Sequence, residues 1–213
     1  GRGQEGTHVG VAAALRKDDS LFPTHRDLSA QLTKGLDLNR VMAQFWGRID
    51  GYTRGRDGNS HVGDWQGNRT WTVMSHLPIA YPVACGAALA YKMRGQPRVA
   101  MAICGDGATS NGRWHEALNI SAIHQLPVVW VVNNNLYAYS TPNPLEFPVP
   151  TIAERAGAYG MPGVRVDAQD VLDVEHELLG EDHLLAALRD LGFGRHEVER
   201  RRLADVHARP VVA

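Results

Sequence analysis

The chain has 213 residues and a formal net charge of −1, since 22 Lys and Arg side chains oppose 23 Asp and Glu side chains. The basic residues are scattered rather than clustered, which argues against nucleic acid as the main partner. No apolar stretch approaches the roughly 20 residues of a membrane span, and two cysteines are too few for a disulfide framework. We therefore expect one large α/β domain, with neither nucleic acid nor membrane as partner, in a reducing, cytoplasmic compartment.

The first half of the sequence predicts three helices joined by loops. Residues 4–15 are rich in Ala and Val and predict a helix, and a loop that contains Pro23 follows. Apolar residues recur at helical spacing over 36–46, which predicts a second helix. Residues 47–73 contain six glycines and predict a long loop, and long loops in compact domains are usually functional. A third helix is expected over 77–94.

In the second half, two polar strings each follow an apolar run. One run ends at residues 105–107, Gly-Asp-Gly, and the other ends at residues 133–135, Asn-Asn-Asn. An amphipathic segment over 110–125 lies between them, so the pattern predicts a βαβ unit. Because a right-handed crossover leaves both carboxyl ends at the same edge of a parallel sheet, we expect Asp106 and Asn135 to face one point.

The residue types in these strings suit a metal ion bound to a diphosphate. Asp106 offers an anionic oxygen and Asn135 a neutral amide oxygen, and both are suitable ligands for Mg²⁺. Gly107 and Ala108 let backbone N–H groups at a helix start approach a phosphate. Gly-Asp-Gly alone is a common turn, so the prediction depends on its spacing to the Asn string and on the strand–helix–strand context.

Asp106 followed 29 positions later by Asn135 resembles the thiamine diphosphate signature. Six further blocks fall in the order of one family: residues 3–12, 22–27, 75–77, 86–88, 137–142 and 162–167. From about Gly3 to Val174, the sequence resembles the α subunit of the thiamine diphosphate-dependent decarboxylating component of 2-oxo acid dehydrogenase complexes, of the pyruvate, branched-chain or acetoin type. The resemblance implies a thiamine diphosphate-binding fold, which is α/β with a doubly wound, mostly parallel sheet, and thiamine diphosphate and Mg²⁺ as cofactors.

The resemblance assigns the two polar strings to the cofactor and its metal ion. Asp106, the Asn135 side chain and the Tyr137 backbone carbonyl match the family's Mg²⁺ ligands. Three further residues lie in the segment that contacts the diphosphate: Gly105, Gly107 and Ala108. Asn133 and residues 79–80 differ from many branched-chain members, which carry Arg and a cation-binding Thr-Gln at these positions.

Other residues match family positions around the same cofactor. Arg26 stands where an Arg grips the diphosphate, because a guanidinium fork matches phosphate oxygens; the alternative is a solvated surface Arg. The Tyr that the family places before this Arg is His25 here. The Ser75 carbonyl and the Leu77 N–H match contacts to the edge of the aminopyrimidine. His61 aligns with a family His near the substrate entrance and is the candidate catalytic residue, with a solvated loop His as the equal alternative.

The resemblance also divides the chain. Residues 1–174 are expected to form the thiamine diphosphate-binding domain, without the start and the end that the family has. Family members carry a helical segment before the Gly-Gln-Glu at 3–5, so we expect the sequence to begin inside that domain. Prolines between 142 and 150 predict an extended surface loop. Residues 175–213 are expected to be a helical, amphipathic tail of unknown relation to the fold.

The activity that the resemblance implies is oxidative decarboxylation of a small 2-oxo acid, with transfer of the acyl group to lipoyl. The chain would be the α half of an α2β2 heterotetramer, with a lipoyl acyltransferase as a further partner. No glutamate here matches the residue that activates the cofactor in the family, and there the β subunit supplies it. The chain alone is therefore expected to be inactive.

Two alternatives and one interface prediction accompany this interpretation. An acetoin-cleaving thiamine-dependent oxidoreductase shares every motif, and a non-catalytic fragment or pseudo-subunit that serves assembly is the alternative from another class.

The third predicted helix has small side chains on one face, at Ala80, Ala84, Ala87 and Ala88. Small side chains allow close packing within the subunit or across an interface, and this face is the candidate contact surface for the β subunit.

Overall fold

The structure, a computed structural model, describes residues 2–179. The helices of this part are α1 (Glu5–Ala13), α2 (Leu28–Thr33), α3 (Leu38–Phe45), α4 (Trp65–Asn68), α5 (Ala80–Met93), α6 (Gly112–Ile123) and α7 (Val171–Leu179). The strands are β1 (Ser20–Phe22), β2 (Ala100–Gly105), β3 (Val128–Asn133), β4 (Tyr137–Ala138) and β5 (Thr141–Pro142). Short 3-10 helices cover Asp106–Ser110, Asn143–Leu145 and Ile152–Tyr159.

Strands β1, β2 and β3 form a parallel sheet in that order, with β2 in the centre. Met101 lies between Leu21 of β1 and Val129 of β3. Alternate residues of β2 point to opposite faces, so Met101 and Ile103 belong to one apolar cluster while Ala102 and Cys104 belong to another. Both faces of the central strand are therefore covered, as is typical of parallel sheets.

Helices cover each face of the sheet. Residues of α5 and α6 pack on the face of Ala102 and Cys104, and residues of α1, α2 and α7 pack on the face of Met101 and Ile103. This arrangement is a doubly wound α/β fold, and the predicted fold class is confirmed. The predicted βαβ unit is also present, because α6 connects β2 to β3, which lie side by side in parallel.

Two segments that the sequence predicted as loops contain regular secondary structure. The loop predicted around Pro23 is preceded by strand β1, which is fully buried against β2, and is followed by α2. A three-residue strand is too short to show any periodicity, which is why the prediction was wrong there. The proline-rich segment after Tyr137 contains the β4–β5 hairpin and the 3-10 helix Asn143–Leu145 rather than one extended loop.

The prediction that the small side chains of α5 form a subunit contact is wrong for Ala80, Ala84 and Ala88, whereas Ala87 is half-buried. Ala84 and Ala88 are 0 % exposed, and they lie in the same core cluster as Phe22 and Ala102. Ala80 is buried in that cluster too. The small face lets α5 lie close to the sheet within the subunit, which is the alternative that small side chains also allow.

Replacing Ala84 by Trp should therefore prevent or weaken folding of the chain itself. An indole has no space beside this buried methyl group, and overpacking on this scale should cost about 3 kcal/mol or more. Thermal unfolding followed by circular dichroism measures the loss. Met93→Trp is the matched control, because Met93 lies on the same helix and is 79 % exposed. A normally folded Ala84→Trp chain that fails only in assembly would restore the interface interpretation.

Helix α7 crosses the predicted boundary between residues 174 and 175. Val174 and Leu178 are buried in the cluster that contains Val11 of α1. A side chain at Gly10 would meet Val174, since a Cβ there would lie 2.7 Å from the Val174 Cβ. The rest of the predicted tail, residues 180–213, lies outside the described residues. None of the helices between residues 2 and 179 is long and apolar enough to cross a lipid bilayer.

Candidate functional site

A pocket of about 350 Å³ lies at the carboxyl edge of the parallel sheet. Eight of the predicted cofactor-binding residues line it: His25, Arg26, Leu77, Gly105, Asp106, Gly107, Ala108 and Tyr137. These residues come from the segments that follow β1, β2 and β3 and from the start of the long turn into α5. The parallel topology thus brings together groups that are more than a hundred residues apart in the sequence.

The segment after β1 is held in place by a buried carboxylate. Asp27 is 1 % exposed, and its Oδ2 accepts hydrogen bonds from the Thr24 N–H at 2.6 Å and the Thr24 hydroxyl at 2.9 Å. This closed turn presents His25 and Arg26, both exposed, to the pocket. Partial desolvation in the pocket and the nearby Arg26 charge lower the pKa of His25, which favours the neutral imidazole.

A buried polar network forms the wall behind Asp27. His8 is 0 % exposed; its Nε2 lies 3.0 Å from Asp27 Oδ1 and 2.9 Å from Asn133 Nδ2, and its Nδ1 lies 3.3 Å from the Ser29 hydroxyl. Asn133 lines the pocket, and its Oδ1 has no hydrogen-bond partner among the described residues. A buried polar atom without a hydrogen bond lowers the stability of the fold. Exchanging the positions of the Asn133 amide oxygen and nitrogen would turn its N–H donors away from His8.

Asp106 lies at the end of β2 with 2 % of its surface exposed. Burial raises the pKa of its carboxyl, and the N–H of Gly107 partly opposes this effect. With the Asn143 amide oriented to pair donors with acceptors, its Nδ2 donates to Asp106 Oδ2 at 2.6 Å and to the Leu136 carbonyl at 3.2 Å. Sequence reasoning missed Asn143, because a single Asn among prolines gives no signal of this contact.

Gly107 is required by a close approach of two backbone segments. A Cβ at this position would lie 2.2 Å from the Cβ of Ala138, which no packing can accommodate. The contact holds strand β4 against the 3-10 helix that begins at Asp106. Tyr137, at the start of β4, thereby lines the same pocket as Asp106.

Asn135 is not among the residues that line the pocket. Its Oδ1 accepts a hydrogen bond from the Tyr137 N–H at 3.0 Å, and an amide oxygen retains a second lone pair. No cluster of three or more His, Cys, Asp and Glu side chains that could hold a metal occurs within residues 2–179. A metal at Asp106 would therefore need amide, backbone, phosphate or water oxygens to complete its shell. The metal-binding roles of Asp106, Asn135 and Tyr137 stay predictions.

His61 and Ser75 also lie outside the pocket lining, although the intervening turn carries Leu77 into it. Their side chains contact each other, with His61 Nε2 at 2.7 Å from the Ser75 hydroxyl. His61 Nδ1 lies 2.6 Å from Asp57 Oδ2. The catalytic role of His61 and the cofactor contact of Ser75 remain predictions.

Residues 1–177 match the family described as "Dehydrogenase E1 component". The chain belongs to the dehydrogenase E1 component family. The resemblance predicted from the thiamine diphosphate signature and the six further blocks is thus confirmed.

Several E1 α subunits are similar to the chain. The α subunit of acetoin:2,6-dichlorophenolindophenol oxidoreductase from Bacillus subtilis is 38 % identical over 172 residues, which cover 81 % of this chain and 51 % of that protein. The α subunit of 3-methyl-2-oxobutanoate dehydrogenase from Mycobacterium tuberculosis is 40 % identical over 177 residues, 80 % of this chain and 44 % of that protein. The chain spans about half the length of these relatives.

A solved structure supports the fold of this E1 family member. The X-ray structure of a protein from Mycobacterium smegmatis, described as a thiamin diphosphate-dependent enzyme, matches with a TM-score of 0.52 and 20 % sequence identity. The match covers 85 % of this chain and 29 % of that one. The likeness concerns the fold alone.

Proposed function

We propose that the chain is the thiamine diphosphate-binding α part of an E1 component, active in oxidative decarboxylation of a small 2-oxo acid with acyl transfer to lipoyl. The observation that carries the proposal is the meeting of Arg26, Asp106 and Gly107 in one pocket at the sheet edge. A cation, a buried carboxylate and free backbone N–H groups are what a diphosphate with its metal ion requires.

The donors around the pocket fit this cofactor. Arg26 can offer two N–H donors to phosphate oxygens, and Asn133 has an amide whose present orientation leaves one polar atom without a partner. Asp106, with the Asn135 amide and the Tyr137 carbonyl, would hold Mg²⁺. When bound, thiamine diphosphate supplies the electron sink that decarboxylation of a 2-oxo acid needs.

The residues of this chain would bind and orient the cofactor rather than move its protons. Asp106 must bind Mg²⁺ as a carboxylate, so metal binding releases a proton wherever the raised pKa leaves the group protonated. His61 is proposed as the catalytic residue near the substrate entrance. Leu77 and Ser75 would contact the aminopyrimidine, Leu77 through its N–H and Ser75 through its carbonyl.

The partners belong to the same proposal. A β subunit in an α2β2 heterotetramer would supply the activating glutamate, and a lipoyl acyltransferase would receive the acyl group. Relatives of the chain are named as α subunits, which supports a partner subunit. A cytoplasmic location is proposed because Cys85 and Cys104 are both free thiols.

Acetoin cleavage is the second candidate function. The relative from Bacillus subtilis and another from Cupriavidus necator, 37 % identical over 179 residues, are both named as acetoin:2,6-dichlorophenolindophenol oxidoreductase α subunits. Dye reduction by the chain with its β partner should be measured with pyruvate, 3-methyl-2-oxobutanoate and acetoin. Turnover of acetoin alone would favour this candidate, and absence of turnover with all three would contradict both.

Changing Arg26 to Lys should weaken thiamine diphosphate binding by about 1–2 kcal/mol, the range for a charge-assisted contact. Lys keeps the charge and loses the planar pair of donors. Calorimetric titration of the complex at moderate salt measures the change. Arg94→Lys serves as the control, because Arg94 is exposed at the end of α5 and does not line the pocket. Equal affinities of the Arg26 variant and the unchanged chain would show that Arg26 is a solvated surface residue without a role in cofactor binding.

A further inference from the structure

Three polar side chains outside the cofactor pocket form a hydrogen-bonded chain. Asp57 Oδ2 lies 2.6 Å from His61 Nδ1, and His61 Nε2 lies 2.7 Å from Ser75 Oγ. None of the three residues lines the pocket. The two contacts use the two different nitrogens of one imidazole, so the carboxylate and the hydroxyl lie on opposite sides of the ring.

The direction of these hydrogen bonds follows from the groups themselves. A carboxylate can only accept, so His61 donates its Nδ1–H to Asp57. A neutral imidazole then carries a lone pair on Nε2, and this nitrogen accepts the proton of the Ser75 hydroxyl. The hydrogen bond from His61 also lowers the pKa of the Asp57 carboxyl, which keeps the acceptor ionised. A hydroxyl, a base and a carboxylate that orients the base are thus in the order found in serine hydrolases.

The loop that carries His61 is held in place by the buried side chain of Gln44. Gln44 is 0 % exposed, and its Oε1 accepts hydrogen bonds from the Thr53 N–H and the Thr53 hydroxyl, both at 2.9 Å. Its Nε2 donates to the Asn59 carbonyl at 3.2 Å. The Thr53 hydroxyl lies 3.2 Å from the Asp57 N–H and accepts its hydrogen. The loop that carries Asp57 and His61 is therefore held on the core by Gln44.

The carboxylate is fixed by its second oxygen as well. Asp57 Oδ1 accepts a hydrogen bond from the Asn59 N–H at 2.7 Å, which leaves Oδ2 for His61. The side chains of Asp57 and His61 are 35 % and 26 % exposed, and Ser75 is exposed. An electrophile from solvent can therefore reach the Ser75 hydroxyl while the base remains oriented.

We propose that Ser75 is an activated nucleophile that takes up an acyl or phosphonyl group from reactive esters and halides. In the step with a fluorophosphonate, Ser75 Oγ forms a bond to phosphorus and the phosphorus–fluorine bond breaks. The hydroxyl proton passes to His61 Nε2, and fluoride leaves with the bonding electron pair. With an activated carboxylic ester, Oγ bonds to the carbonyl carbon, and the alkoxide or phenoxide leaving group receives the proton from His61.

The test is covalent labelling of the full chain by an alkyl fluorophosphonate, without cofactor or partner, so its result does not depend on the proposed function. We expect one phosphonyl group per chain, located on Ser75 by peptide mass spectrometry. His61→Gln should slow labelling by about 100-fold or more, the range that a general base contributes. Asp57→Asn should slow it by at least about tenfold, because the amide no longer holds the imidazole in the required tautomer.

Ser60→Ala is the matched control on the same loop. The Ser60 hydroxyl contacts only the Asn59 side chain among its hydrogen-bond partners in the described residues, at 3.4 Å, so labelling of this variant should equal that of the unchanged chain. Circular dichroism of each variant verifies that the fold is retained, and His61→Asn replaces any His61→Gln chain that fails to fold. Labelling spread over several exposed serines would overturn the proposal. Equal rates for the unchanged chain and the His61 variant would overturn it too.

Discussion

Replacing Asp106 by Ala should abolish magnesium-dependent binding of thiamine diphosphate. Asp106 is the carboxylate at the end of the central strand, and the other two proposed Mg²⁺ ligands, the Asn135 amide and the Tyr137 carbonyl, are neutral oxygens. We expect the affinity to fall by more than about 100-fold, because loss of an outer-shell partner alone costs about 10- to 100-fold in metal affinity. Calorimetric titration of the complex with thiamine diphosphate, with and without Mg²⁺, measures the loss.

Asp106→Asn is the matched variant, since it keeps the shape of the side chain and removes its charge. It should bind metal as poorly as the Ala variant, but the cofactor-free chain should become more stable, because burial disfavours the charged carboxylate that the amide replaces. Burial raises the pKa of Asp106, so the folded chain binds its proton more tightly than the unfolded chain does. The stability of the folded chain therefore falls as the pH rises through the interval between the unfolded and the folded pKa values of Asp106. The destabilisation persists at neutral pH.

Two results would contradict this account of Asp106. Unchanged magnesium-dependent affinity in the Ala variant would show that the metal is held elsewhere. A lower melting temperature of the Asn variant at neutral pH would show that the Asp106 carboxylate stabilises the empty pocket rather than straining it. The contact with Asn143 is retained in the Asn variant, because an amide oxygen can still accept from Asn143 Nδ2.

The sequence predicted the βαβ unit and its polar strings well, because both features are local and periodic. Residues 105–108 could be placed at the pocket once the strand before them was recognised, since parallel strands end at one edge. Strand β1 has no such signal in three residues, and only its pairing with β2 makes it a strand. The polar network behind the pocket was missed for a related reason. His8 and Asn133 are 125 positions apart in the sequence, and no local pattern predicts their contact.

The difference between local patterns and long-range contacts also explains why the prediction for helix α5 was wrong. A face of small side chains predicts close packing but does not identify the packing partner. Ala84 and Ala88 pack inside the subunit, so a contact surface for another chain must be sought on exposed residues instead. Asp57, His61 and Ser75 also show the limit of sequence reasoning, because their separations of 4 and 14 positions have meaning only when the loop is folded.

The isolated chain should show no decarboxylation of a 2-oxo acid, even with saturating thiamine diphosphate and Mg²⁺, and the β subunit should restore it. The pocket lining contains two carboxylates, Asp27 and Asp106, and no glutamate. Asp27 already accepts hydrogen bonds from Thr24 and pairs with His8. Asp106 is proposed to hold the metal ion. Neither carboxylate of the pocket lining is then available to activate the cofactor, and we propose that the β subunit supplies this role.

Dye reduction with pyruvate, 3-methyl-2-oxobutanoate and acetoin should be followed for the chain alone, for the β subunit alone and for the mixture. Turnover by the single chain would contradict the two-subunit proposal, because it would require an activating acid that the pocket lining does not provide. An assembled mixture that neither binds thiamine diphosphate nor turns over any substrate would favour the pseudo-subunit alternative. If the mixture binds thiamine diphosphate and Asp106→Ala abolishes that binding, this chain contributes the carboxylate on which cofactor binding depends. Such a result would contradict the pseudo-subunit alternative.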